Sequence, residues 1–186
     1  MSSHQHDAPQ ADASVRPARP DDAFAVAAVT IETWRRQYAA VLPAGELAGI
    51  SPVALADQWR GSLEAPPSPR HRALVALRGS DVVGYVVLAP TDEPDLAASD
   101  TSEIVDLVVH PALTGVGHGS RLLAAAVDTL RSSGVPDVVV WCADGDAARR
   151  RFLESAGFEP DGATRALDSG PGTPELAQVR YAAHLG

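Results

Sequence analysis

The chain has 186 residues, 45% hydrophobic and 21% charged, enough to bury a real core and ordinary for a globular protein. Its net charge of -9, from 24 acidic against 15 basic side chains, excludes a nucleic-acid partner held by a basic face, and no apolar run reaches the roughly 18 residues a membrane span needs. All 15 basic residues are arginine, so a lysine-dependent phosphate loop is excluded and the protein has no lysine of its own to acylate.

In chain order, residues 1–13 are small, polar and unpatterned and are read as a disordered tail. They lack the basic-then-apolar order of a secretory signal, and the one cysteine, Cys142, permits no internal disulfide; the expected location is cytoplasmic. His4 and His6 are too few to build a metal site, and no metal is expected. A short strand is predicted at 14–17, then a helix from Pro20, with Asp21 and Asp22 favoured by the helix dipole. Phe24, Val26, Ala27, Ile31, Trp34 and Tyr38 recur at roughly helical spacing. A second helix is predicted at 52–64, ended by "APPSPR", and two strands at 72–78 and 82–89 flank the hairpin signal Gly79-Ser80-Asp81.

The acidic, turn-rich stretch 91–103 reads as a loop, and the apolar run "EIVDLVVH" as a strand buried on both faces. A helix at 118–133 carries Leu122, Leu123, Ala126, Val127 and Leu130 on one stripe and stops at Gly134. A buried strand at 137–142 and a helix at 146–156 ending at Gly157 follow. Two last strands, near 163–168 and 176–184, are joined by "SGPGTP".

Between the 103–109 strand and the 118–133 helix lie Gly115, Gly117 and Gly119. A glycine turn entering a helix presents unpaired backbone N–H groups, an anion site made without side-chain charge. A phosphate or pyrophosphate is the implied ligand. A dinucleotide fold fits poorly, because its glycine turn follows the first strand as G-x-G-x-x-G with an acid about 20 residues on. Here the loop lies in the second half of the chain and reads G-x-G-x-G.

The stretch "EIVDLVVHPALTGVGHGSRLLAAAVDTLRSSG", followed by "VVVWCADGDAARRRFLESAGFEPDG", resembles the GCN5-related N-acetyltransferases, the GNAT superfamily. The resemblance runs from "VRPARPDDA" through "TWRRQYAAVLP" to the C-terminal strands, over residues 14–184. It implies an α/β (α+β) fold in one domain over 14–186: a mixed, mostly antiparallel sheet of about six to seven strands with a splayed parallel pair, flanked by about four helices. It also implies direct transfer of an acetyl or other acyl group from coenzyme A to an amine, with acetyl-CoA as cosubstrate. The acceptor would be a small-molecule or peptide amine, and a homodimer is compatible with it.

The family's loop pattern, Arg or Gln, two residues, Gly, one residue, Gly or Ala, falls on Thr114, Gly117 and Gly119, with Thr114 departing from it. By resemblance the backbone of Gly115, Val116, Gly117, His118, Gly119 and Ser120 holds the pyrophosphate. The backbone of Leu107, Val108 and Val109 pairs with pantetheine like an added strand, and Asp146 stands where an asparagine usually touches it. Glu103 occupies a position where several members carry a glutamate base; Asp106, three residues on, points to the opposite face and is read as structural. Leu153 replaces the tyrosine that usually protonates the leaving thiolate, which leaves a water, Tyr85, Tyr181 or His118 as substitutes. His118 is otherwise a partly exposed helix-start side chain, Arg149, Arg150 and Arg151 are read as facing water, and Cys142 as an inert core residue. Leu153, Asp146 and Thr114 together motivate an alternative: a catalytically degenerate member that binds acyl-CoA as a sensor or partner subunit.

Overall fold

The computed structural model describes residues 13–38, 49–167 and 175–186, and of Tyr38 the backbone alone. The tail expectation, apart from Ala13, lies outside these residues, as does the "SGPGTP" connection. The described strands are β1 (Ala13–Pro17), β2 (Arg72–Arg78), β3 (Asp81–Pro90), β4 (Thr101–Val109), β5 (Asp137–Ala143), β6 (Glu159–Leu167) and β7 (Leu176–His184). They form one seven-stranded sheet in the order β1-β2-β3-β4-β5-β7-β6. The described helices are α1 (Ala23–Tyr38), α2 (Pro52–Glu64), α3 (His118–Ser132) and α4 (Ala147–Ser155). The chain divides into two compact units, one of residues up to Ala65 with Leu74–Tyr85 and Val108–Leu122, the other of Pro66–Ala73, Val86–Leu107 and everything from Leu123.

In the first unit β1 pairs antiparallel with β2, Ala13 opposite Arg78 and Pro17 opposite Leu74. The entry to α1 is a 3-10 turn, Pro20–Asp22, rather than α-helix from Pro20. Asp22 explains it: its carboxylate accepts from Arg19 N at 2.7 Å and from both Arg16 nitrogens at 2.6 and 2.8 Å, fixing the turn before the helix starts. The buried residues of α1 are Ala23, Val26, Ala27, Thr30 and Ile31, at i, i+3, i+4, i+7 and i+8, together with Val29. Phe24 lies one position off that stripe and is 58% exposed, which corrects its place in the expected apolar face. α2 starts where Ser51 accepts from Ala54 N at 3.2 Å, with Pro52 at its first position.

In the second unit β5 runs parallel to β4 over Thr101–Glu103 and antiparallel to β7 along its whole length, and β7 pairs antiparallel with β6 across a register shift between Pro160 and Thr164. Val138, Val139, Val140 and Cys142 of β5 are buried, as a strand flanked on both sides requires. β4 behaves differently from the expectation. It starts at Thr101, two residues before the predicted loop ends, and is buried only at Thr101, Ser102 and Ile104; Val105 is 49% exposed. The physical reason is its partner: the registered β4–β5 pairing stops at Glu103, so the residues after it lose cover on that side. α4 closes at Gly157, whose N–H reaches Glu154 O at 3.0 Å while Phe158 N reaches Leu153 O at 3.1 Å.

Candidate active site

Residues 108–120 of the prediction lie in the first compact unit, and Glu103, Leu107 and Asp146 in the second. In the first, a short 3-10 turn, Pro111–Leu113, leads out of β4 into the glycine loop, with Thr114 Oγ1 donating back to Pro111 O at 3.2 Å. Gly115 and Gly117 have φ of 79° and 91°, a left-handed backbone that side chains disfavour, and this is what turns the chain into α3. The N–H groups of His118, Gly119 and Ser120 precede the first helical bond, which Arg121 N makes to Gly117 O at 3.1 Å. Arg121, one turn in, folds its guanidinium over the loop, where a Cβ on Gly117 would lie 2.9 Å from its Nη1, and it contacts Val116 O at 3.4 Å. Backbone donors plus one cation suit an anion. Nothing in the glycine pattern points to Arg121, which lies two residues beyond it.

His118 corrects its expectation: it is 4% exposed, not partly exposed, and its Nδ1 has no hydrogen-bond partner. Burial pushes its pKa down, assisted by Arg121 and Arg78, so the ring is neutral at neutral pH. The first unit also contains an open cavity of about 540 Å³, lined by acids including Asp21, Asp22, Glu32 and Asp81, a poor setting for phosphate.

In the second unit Glu103 closes the registered β4–β5 segment opposite Val139. It is half-buried, and desolvation raises its carboxyl above the ordinary carboxylate value; Asp92 and Glu93 push the same way, while Arg165 and Arg180 oppose. One ligand-type oxygen from each of Asp92, Glu93 and Glu103 falls within 4.8 Å of the others. Asp106 keeps solvent contact, and partial desolvation lifts its carboxyl against the pull of Arg149. Leu107 is half-buried, and its carbonyl accepts from Arg149 Nη1 at 3.1 Å. Arg149 therefore does not simply face water, and neither does Arg150, which donates to Tyr181 Oη at 3.1 Å and to Asp144.

Asp146 is the N-cap of α4, accepting from Arg149 N at 2.9 Å. Leu153 is 1% exposed, a core side chain with no proton to give. Tyr181, one of the substitutes, is fully buried, and its hydroxyl already donates to Glu154 Oε1 at 2.9 Å. Tyr85, 2% exposed in the first unit, lies 3.0 Å from Thr30 Oγ1 and edge-on to Trp59. Cys142 is buried and its thiol is pushed up by that burial, which keeps it protonated and inert.

The model of the Acetyltransferase (GNAT) family matches residues 29–158. A mycothiol acetyltransferase of Streptomyces coelicolor is 32% identical over 152 residues, covering 79% of this chain and 44% of that protein. The chain thus spans less than half the length of that relative. "Probable N-acetyltransferase Rv2775" of Mycobacterium tuberculosis is 29% identical over 152 residues, covering 81% of this chain and 82% of that protein. Among solved structures, an N-acetyltransferase from Staphylococcus aureus Mu50 superposes with a TM-score of 0.73 at 16% identity, covering 95% of this chain and all of that one. The family model spans more than half of the chain and takes in β4, the glycine loop, α3, β5 and α4: the chain belongs to the Acetyltransferase (GNAT) family.

Proposed function

We propose that the protein is an acyl-CoA-dependent N-acyltransferase, with acetyl-CoA as donor and an amine as acceptor. The observation that carries this reading is the course of β4: its registered pairing with β5 ends at Glu103, and the chain then runs through Leu107–Val109 into the positive-φ glycines and α3. A strand edge released from its neighbour offers backbone groups to an extended pantetheine, and the loop N–H groups, with Arg121 beside them, offer donors to a pyrophosphate. Asp146 caps α4 and so fixes Arg149 and its contact to Leu107 O.

The reaction is direct. An alkylammonium of pKa about 10.4 is neutral in roughly one molecule in 2,500 at pH 7, so a base is needed before the amine can attack. Glu103 is that base: half-buried, with a carboxyl raised toward neutrality by desolvation, it takes a proton from the ammonium more readily than an ordinary carboxylate. The amine nitrogen then bonds to the thioester carbonyl carbon, the C–S bond breaks, coenzyme A leaves as thiolate, and the second proton of the nitrogen passes to that thiolate or to water to leave the neutral amide. A thiol of pKa about 8.5 is a tolerable leaving group unaided, which suits a chain where Leu153 replaces the usual acid. No acyl-enzyme forms, and Cys142 is not used.

A second reading is favoured by Leu153 and by the commitment of Tyr181 to Glu154: a member that binds acyl-CoA without turning it over. Release of free thiol from acetyl-CoA against a panel of amines separates the two. The enzyme reading expects amine-dependent release that Glu103→Gln lowers at least tenfold; binding of acetyl-CoA with no amine-dependent release supports the second.

A further inference from the structure

Glu93 is held more firmly than a surface acid requires. Its Oε1 accepts from the Trp141 indole Nε1 at 2.8 Å and lies 3.3 Å from Arg165 Nη1, and its Oε2 lies 3.7 Å from Arg180 Nη1. These partners are fixed in turn. Arg165 stacks on Trp141, its guanidinium carbon 4.2 Å from the ring centroid, and donates to Gln178 Oε1 at 2.7 Å. Arg180, 4% exposed, is clamped by both oxygens of Asp95 at 2.9 and 2.5 Å and by Asp161 at 2.7 Å. Three strands, β5, β6 and β7, thus anchor one acid of the stretch after β3.

The anchoring brings like charges together. A Glu93 oxygen is held within 4.8 Å of one on Glu103, with Asp92 as the third member of the group. Indole and guanidinium donors already occupy Glu93, which makes it a fixed charge rather than an open ligand. The groups acting on Glu103 are Asp92 and Glu93 on one side of the balance and Arg165 and Arg180 on the other. Ion pairing with the arginines alone would not need Glu93 to approach Glu103.

We propose that Glu93 is a positioning residue for Glu103: locked by Trp141, Arg165 and Arg180, it fixes a negative charge beside the Glu103 carboxyl, with Arg165 as the opposing charge. This rests on the reading of Glu103 as the base. Charges this close, partly withdrawn from water, shift one another's titration.

The test is an NMR titration of the full chain labelled with 13C at the glutamate carboxyls, the Glu103 signal being assigned by its loss in Glu103→Gln. Glu93→Gln keeps an oxygen for the Trp141 donor but removes the charge, and the Glu103 midpoint falls. Arg165→Met keeps an unbranched side chain over Trp141 but removes the opposing charge, and the midpoint rises. Shifts of opposite sign are the signature of charge balance, because a packing defect has no reason to reverse between the two variants. A midpoint that stays put in either folded variant, or that moves the same way in both, overturns the proposal; should one variant fail to fold, the sign of the other decides. The base reading is tested separately by acetyl-CoA turnover. An unchanged rate in Glu103→Gln removes the base while leaving the measured coupling intact, whereas a lost rate with unmoved midpoints does the reverse.

Discussion

Gly84→Ala tests whether the fold around the start of α3 is as tight as its geometry indicates. Gly84 lies in β3 with no positive φ, so its backbone alone would accept alanine. The obstacle is space: an added Cβ would sit 2.6 Å from Val108 O and 3.2 Å from both Val109 Cα and Leu122 Cδ1. A carbon normally keeps about 3.3 Å from a carbonyl oxygen, so β4 must give by roughly 0.7 Å, and two of the three obstructing atoms are backbone. Overpacking of this kind costs about 1–3 kcal/mol, offset by roughly 0.4–1 kcal/mol of lost unfolded-chain entropy. The net loss is about 1–2 kcal/mol, a fall in Tm of roughly 2–8 °C at this chain length. Gly61→Ala is the internal control: Gly61 is in α2, its added Cβ meets nothing within 4 Å, and there the same change stabilises by up to about 1 kcal/mol. Thermal unfolding followed by circular dichroism reads both. A Gly84→Ala protein as stable as wild type, or a shift of the same sign in the two variants, refutes the reasoning.

Three further outcomes follow from the same geometry. Glu103 has a folded-state carboxyl raised above its ordinary value of 4.5, so the folded chain holds the extra proton between those two values, and stability falls as pH rises through that window. Glu103→Gln therefore raises Tm at pH 7 and changes it little below about pH 4, and a lowered Tm at pH 7 would show that the carboxylate is stabilising instead. Asp146→Ala removes the α4 cap at a cost of about 1 kcal/mol, and urea denaturation that finds no loss would deny the capping role. Tyr181→Phe leaves the acetyl-CoA turnover rate within about twofold, because that hydroxyl is committed to Glu154; a fall near the 10²-fold typical of a lost general acid would mark Tyr181 as the proton donor.

Local chemistry was the legible part of this sequence. Gly79-Ser80-Asp81 gives the β2–β3 hairpin, and the Pro-rich stop gives α2 at its observed bounds, because turn and cap preferences act within a few residues. The glycine loop is legible for the same reason, since Gly115 and Gly117 adopt the left-handed backbone that their lack of a Cβ permits. What was not legible depends on which segments meet. Glu93, Trp141, Arg165 and Arg180 are spread over β5, β6, β7 and the stretch before β4, and no period in the sequence relates them. The exposed end of β4 follows from where its registered pairing stops, and the burial of His118 from its neighbours rather than its place at a helix start. Gly84 could be seen in the sequence, but only the approach of Val108 gives it a reason.

The central claim is that the glycine loop and the released edge of β4 hold acyl-coenzyme A. Calorimetric titration of the purified chain with acetyl-CoA, and separately with NAD, tests it most directly. Micromolar binding of acetyl-CoA and none of NAD is expected, which would leave the accepting amine as the remaining question. Absence of acetyl-CoA binding, or a preference for NAD, would contradict it and would mean that Thr114 and Asp146 mark a site that has lost its ligand.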